Sequence, residues 1–296
     1  MRSSTAGILN LDKPIGWTSH DMVARVRRLT GIRQVGHAGT LDPMATGVLL
    51  VCVGWATRLS EYLVSGRKRY RARVRLGIST DTYDAEGQIT DQCPVPAFSE
   101  EEIKTVLAAF RGEILQRPPI YSALKKDGEP LYKKARRGET VDVEPRSVIV
   151  YELQLQAWEP PFLVLDVLCS PGTYIRSLAH DLGQQLGTAA HLAELRRLAS
   201  GRFRVEDAIT LDQLAAAVEE GDWFRLLIPP DAALLDFAAV RLNGDAARRL
   251  SHGQPVPCPE RPSTVMGRAY GPDGTLLAVV TYDPKAHLWR PRKVFA

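Results

Sequence analysis

The sequence predicts an α+β fold followed by a small β-rich piece, and three observations carry that reading. Residues 69–77, RYRARVRLG, alternate strictly: Tyr70, Ala72, Val74 and Leu76 share one face, Arg69, Arg71, Arg73 and Arg75 the other. Period two marks a strand with one face on a core. Residues 148–158 and 162–170, VIVYELQLQAW and FLVLDVLCS, are further strand-like runs separated only by Glu159-Pro160-Pro161, a hairpin candidate. Residues 171–187, PGTYIRSLAHDLGQQLG, instead set Ile175, Leu178, Ala179, Leu182 and Leu186 on one helical stripe.

The other elements follow in order. Residues 7–12, GILNLD, read as a strand. Thr18 and Asp21 form a capping box ahead of Met22, Val23, Val26 and Leu29, one helical face, and Gly31 can end that helix. A glycine-rich loop leads into the strand VLLVCVG, residues 48–54, and a short helix near residues 56–64. Ser99 and Glu102 cap a helix through Val106, Leu107 and Phe110. Residues 117–146, rich in Pro, Gly and charge, read as a surface excursion with one short helix ending at Gly138. Gly187 stops the helix of residues 171–187, and HLAELRRLA from His191 reads as another helix. Composition shifts over residues 226–235, where Pro229 and Pro230 interrupt an apolar run. Residues 1–230 are therefore expected to form one domain and residues 236–296 a small β-rich one, with turns such as Pro272-Asp273-Gly274.

Composition narrows the function classes. A chain of 296 residues with 45% hydrophobic residues can bury a core without staples. Its longest apolar run, residues 48–56, is about half of the ~20 residues a membrane helix needs. Asp12 and Lys13 interrupt any signal-peptide core. Cys52, Cys93, Cys169 and Cys258 lack metal-ligand spacing, and Cys52 and Cys169 lie in apolar strands as buried thiols, so a reduced, cytoplasmic protein is expected. Net charge is +4, unevenly spread: residues 65–75 carry six cations and no acid, and residues 285–296 carry four beside Trp289 and Phe295. Such clusters suit phosphate contacts and base stacking, or simply a solvated face.

The candidate chemistry begins in GHAGTLDPMATGVL, residues 36–49. Gly36, Gly39 and Gly47 allow conformations that a side chain forbids, and Pro43 stiffens the chain just after Asp42. A lone carboxylate on a stiff turn at a strand end is either presented for reaction or satisfied by nearby backbone amides. Arg176 adds a second signal. It stands in the first turn of a helix, facing the positive end of the dipole at a cost of ~0.3–1 kcal/mol. A carboxylate partner would offset that cost. Tyr70 opens its strand on the core side, and His37 precedes Asp42 by five residues.

Taken together, GHAGTLDPMATGVL, KRYRARVRLGISTDTYDAEG and PGTYIRSLAHDLG resemble the bacterial TruB class of tRNA pseudouridine synthases. LDKPIGWTSHD, PPIYSALKKDGEPLYKKARRG and HLAELRRLASGRF extend the likeness over residues 7–230. The resemblance implies a mixed, mainly antiparallel sheet flanked by helices, with a C-terminal RNA-binding PUA domain matched by NGDAARRLSHGQPV and DGTLLAVVTYD. It implies isomerisation of the T-loop uridine 55 of tRNA by a flipped-base mechanism that needs no cofactor and no metal. In that scheme Asp42 is the catalytic carboxylate, Arg176 pairs with it, and Tyr70 stacks on the uracil and is a candidate for deprotonation. Leu195 lines the uracil pocket, His37 helps extrude the nucleotide, and Lys13 and Tyr174 lie on the substrate side. The chain lacks the extra sequence of guide-RNA-dependent relatives, so a stand-alone monomer acting on the T arm is expected, with no guide RNA and no membrane. Two rivals stand beside it. An RNA-folding factor would need no acid at position 42, and an aspartyl-phosphate enzyme would need a second acid two residues on, which LDP lacks.

Overall fold

The computed structural model describes residues 5–295, apart from 123, 127, 138 and 140–142. The expected helix stop at Gly138 therefore lies outside the described residues. Among those described, no helix is long and apolar enough to cross a membrane.

Among the described residues, nine strands form the main sheet. Its order is Gly7–Lys13, Ala45–Val53, Ala190–Ser200, Lys68–Leu76, Phe162–Cys169, Arg146–Glu159 and Gly112–Gln116. Val35–Ala38 pairs beside Ala45–Val53, and Phe203–Arg204 beside Ala190–Ser200. Only Ala45–Val53 against Ala190–Ser200 is parallel, so the sheet is mixed and mainly antiparallel, as expected. The hairpin forms between Arg146–Glu159 and Phe162–Cys169. In Lys68–Leu76, Tyr70, Ala72, Val74 and Leu76 are buried as the alternation requires. Helices Ser19–Thr30, Glu100–Ala108, Ile175–Gln185 and Leu211–Glu219 flank the sheet and share its core with Met22, Val26, Ile103, Leu107, Leu178, Leu182 and Leu214. Both expected capping boxes form, Thr18 with Asp21 and Ser99 with Glu102. All four cysteines are free, and burial pushes the Cys52 thiol up to about 12 and that of Cys169 to about 11.

Four expectations are corrected. Residues 191–199 are not a helix: Ala190–Ser200 is a central strand. Leu192, Leu195, Arg197 and Ser200 face inward. β-bulges between Leu192 and Glu194 and between Arg197 and Ala199 stretch the strand period of two into steps of three, two and three. That spacing, with good helix formers such as Glu, Leu and Arg, imitates a helical stripe. The loop before Asp42 contains a strand, Val35–Ala38. The helix after Pro171 starts only at Ile175, because the Gln116 side chain holds Tyr174 extended. Gln116 Oε1 accepts from the Tyr174 N–H at 2.7 Å and Nε2 donates to the Tyr174 carbonyl at 2.9 Å. Finally, the region 117–146 is more than an excursion. Beside the short hairpin Lys125–Lys126/Glu129–Pro130 and helix Leu131–Arg136, it buries Ser122, Leu131, Ala135 and Val143.

A second sheet, of five strands, is built from Ala238–Arg241, Met266–Tyr270, Leu276–Asp283, Leu288–Val294 and Val256–Pro257, with helix Gly244–Ser251 against it. It has its own apolar cluster around Leu250, Ala269, Val280 and Trp289. Leu59 and Leu234 pack with Leu276 and Val279 where the two bodies meet.

Candidate active site

Asp42 stands between Val35–Ala38 and Ala45–Val53, and its loop is tied down on both sides. Ser19 Oγ donates to the Leu41 carbonyl at 3.1 Å and accepts from the Leu41 N–H at 2.9 Å. Arg197, fully buried, donates to the carbonyls of Val48 at 2.6 Å, Gly39 at 3.0 Å and Thr40 at 3.4 Å. After the acid, the Pro43 carbonyl accepts from the Gly16 N–H at 2.9 Å and from Lys13 Nζ at 3.1 Å. Gly47 has φ +96°, and a Cβ there would stand 2.2 Å from the Arg197 carbonyl oxygen. That contact is why the third position of this strand is glycine. Ordered donors and acceptors at nearly every peptide around Asp42 fix where its carboxylate points.

It points at Arg176. The Nε–Nη2 edge of the guanidinium faces both carboxylate oxygens, with Nε 3.0 Å from Oδ2 and Nη2 3.3 Å from Oδ1. Nη2 also donates to the Tyr121 carbonyl at 3.0 Å, which brings region 117–146 into the site. Nη1 donates to Asp84 Oδ2 at 3.2 Å. Arg176 and Asp84 side chains are 6% and 4% exposed, whereas Asp42 keeps 35%. The guanidinium is thus a buried cation between two carboxylates, one closed in and one open to solvent. This arrangement offsets the unfavourable helix-start position noted for Arg176. Burial pushes the Asp42 carboxyl above the usual range; Arg176 pulls it down and Asp84 pushes it up again.

The other expected residues converge to different degrees. Tyr70 lies one strand from the loop, opposite Arg197 and Val167, and is buried, which pushes its phenol up. Leu195 is registered between Ala45 and Ala72, bridging the Asp42 strand to the Tyr70 strand. His37 pairs with Val51 and stands edge-on to His20 at 5.3 Å. Burial lowers its pKa, so it is neutral at pH 7, and its buried Nδ1 has no partner among the described residues. Tyr174 leads into the Arg176 helix, and burial raises its phenol. Lys13 is 0% exposed. Its ammonium donates to the carbonyls of Pro14, Trp17 and Pro43, so it ties the first strand to the loop that carries Asp42. Burial lowers its pKa to about 8.

Asp84 and Arg197 were missed from sequence. Each sits inside a quoted motif, but nothing local distinguishes a buried Asp in TDTYDAEG or a buried Arg in ELRRL. The basic clusters, conversely, prove committed. Arg69, Arg71 and Arg73 pair with Glu152, Asp166 and Glu194 on the sheet face opposite Tyr70. Near the C-terminus Trp289 is buried, Phe295 stacks on Trp55 at 4.8 Å, Arg290 pairs with Asp283, and Lys293 pairs with Glu61. Phe295 and Lys293 thus seal the seam between the two bodies, whereas Trp289 and Arg290 are committed within the second.

Residues 27–175 match the model of the N-terminal domain of TruB family pseudouridylate synthases. The chain belongs to the TruB family. Residues 176–235 match the tRNA pseudouridylate synthase B C-terminal domain, and residues 237–296 the tRNA pseudouridine synthase II C-terminal model. The chain is 45% identical over 282 residues to tRNA pseudouridine synthase B of Stutzerimonas stutzeri strain A1501, covering 94% of this chain and 92% of that one. It is 47% identical over 267 residues to tRNA pseudouridine synthase B of Pseudomonas aeruginosa strain UCBPP-PA14, covering 88% and 87%. Among solved structures, a chain of a Cbf5–Nop10–Gar1 complex superposes with a TM-score of 0.78 at 29% identity, covering 99% of this chain and 85% of that one. A chain of an H/ACA RNP bound to a substrate RNA containing 2'-deoxyuridine gives 0.76 at 28%, covering 98% and 85%. Family membership makes this TruB protein a pseudouridine synthase, an isomerase.

Proposed function

We propose that this chain converts the T-loop uridine 55 of tRNA to pseudouridine, with Asp42 as the catalytic carboxylate. The observation that carries the reading is the Asp42–Arg176–Asp84 triad, with only Asp42 open to solvent. The reaction breaks N1–C1′, turns the uracil and joins C5 to C1′, with the C5 proton lost and N1 protonated, so substrate and product are isomers. Asp42 either adds to the base or acts at C1′; both need it ionised and held still. Arg176 favours the ionised form and presents the carboxylate edge-on. Extruding the uridine costs a few kcal/mol, which the Tyr70 ring and the apolar Leu195 and Ile175 walls partly recover. Tyr70 is a neutral phenol at pH 7, so stacking is its first role, and deprotonation at C5 would require it to pass a proton on. His37, neutral and with a buried nitrogen unpartnered, is assigned to the displaced nucleotide in this reading.

Residues 1–230 form the catalytic domain in this reading and residues 236–296 a PUA-type RNA-binding domain. The protein works as a cytoplasmic monomer without a guide RNA. Coverage of both chains near 90% with tRNA pseudouridine synthase B relatives supports this, and four free thiols suit a reducing compartment.

The test is direct. Purified protein alone should convert a T-arm hairpin, and Asp42→Asn should bind the hairpin without turnover. Wild-type-like turnover in Asp42→Asn would remove the carboxylate from the mechanism. Conversion only after adding a guide RNA would refute the stand-alone reading.

A further inference from the structure

A cavity of about 320 Å³ opens beside the Asp42 loop, and nothing in the proposed chemistry uses it. Gly16, Trp17, Asp21, Ala24, Arg25 and Arg28 line it. The last four recur at i, i+3, i+4 and i+7, one outward stripe of helix Ser19–Thr30 opposite its buried Met22, Val23 and Val26. The loop that closes the cavity is the one that braces the acid. The Gly16 N–H donates to the Pro43 carbonyl at 2.9 Å, and the Trp17 carbonyl accepts from Lys13 Nζ at 2.6 Å. A ligand seated here is therefore one short loop away from Asp42.

Its lining has a definite chemistry. Ile15 and Trp17 are 70% and 37% exposed, large apolar groups left open on a loop whose backbone is fixed. Among the described residues, no carboxylate lies within ion-pair reach of Arg25 or Arg28, unlike Arg69, Arg71 and Arg73 across the molecule. Asp21 is committed elsewhere: its carboxylate accepts from the Thr18 N–H at 2.9 Å and hydroxyl at 2.6 Å. An open indole beside two unneutralised guanidiniums, in a cavity at the small end of the ligand range of ~300–1,000 Å³, fits one base with its phosphates.

We propose that this cavity is a second RNA subsite, in which Trp17 stacks on an unpaired base near the target uridine while Arg25 and Arg28 hold the adjoining phosphates. This rests on the chain being an RNA-modifying enzyme. Unstacked loop bases are read by such aromatic platforms, and phosphate contacts give binding its salt dependence.

The experiment measures binding of a labelled T-arm hairpin by fluorescence anisotropy over a range of KCl concentrations, alongside its conversion. Trp17→Ala should raise Kd about tenfold, and Trp17→Phe should recover most of that. The double variant Arg25→Gln/Arg28→Gln should lower the slope of log Kd against log salt by about 1.5. All three side chains reach the surface, so unfolding midpoints should match wild type, and Trp17→Phe and the glutamine pair keep the test open if Trp17→Ala folds poorly. Folded variants with wild-type Kd and salt slope would overturn the subsite alone. A wild-type protein that neither binds nor converts the hairpin would overturn the functional reading and the subsite with it.

Discussion

Replacing Asp84 by Asn separates the two jobs of the buried triad. The amide would keep an oxygen for the Thr82 hydroxyl, now 2.6 Å from Oδ1, and for the Glu86 N–H at 3.1 Å. What the change removes is the charge facing Arg176 Nη1 at 3.2 Å. A hydrogen bond to a charged group contributes about 1.5–3 kcal/mol, and Arg176 is too buried for water to replace it. In a chain of this length that predicts a fall of about 3–6 °C in the unfolding midpoint. The guanidinium keeps Asp42 and the Tyr121 carbonyl but loses the anchor on its far side. A shift approaching 1 Å in the carboxylate it orients would lower turnover by up to about 10²-fold. The sign of the pH effect is the sharper test. Asp84 is one of the groups raising the Asp42 pKa, so removing its charge lets Asp42 ionise at lower pH. Single-turnover pseudouridine formation across pH should then show an acid limb displaced downward, on a lower plateau. An acid limb that stays put or moves upward would show that the Asp84 charge does not raise the Asp42 pKa.

Three further outcomes follow from the same geometry. Arg176→Lys should lower the single-turnover rate by about 10²–10³, because a point charge cannot face both Asp42 oxygens and Asp84 at once; an unchanged rate refutes the pairing. Gly47→Ala should cost about 2–5 kcal/mol in urea unfolding, from the left-handed φ together with the backbone clash at Arg197, and near-neutral stability would mean that the strands are not so closely apposed. Lys68 is buried and its pKa is lowered from 10.5 to about 8. Between those values the unfolded chain binds more protons than the folded one, so stability rises with pH through the window. Lys13 titrates over the same range, so Lys68→Met should flatten the rise in urea midpoint between pH 8 and 10 without abolishing it, and an unaltered rise would show that Lys68 is not its source.

Much of the site was legible because its signals are local. Asp42 stands in a turn marked by glycines and proline. Tyr70 opens a strict alternation, and Arg176 sits at the wrong end of a helix dipole. The strand Ala190–Ser200 was not legible, since two bulges gave it helical spacing and its residues favour helices when isolated; its place between Ala45–Val53 and Lys68–Leu76 overrode both. The basic clusters misled for the opposite reason. Their cations are adjacent in sequence, but their carboxylate partners come from distant strands.

The one-dimensional code therefore determined the elements with a local period, the capped helix ends, the acid in its stiff turn and the family to which its motifs belong. Tertiary structure decided which charges survive as charges. Only folding sets Arg176 between Asp42 and Asp84, threads Arg197 beneath the loop, neutralises the arginine face, and leaves Arg25 and Arg28 open beside Trp17. The physical reason is that electrostatic partners are chosen by distance through space and by exclusion of water, and neither quantity is written in the spacing of residues along the chain.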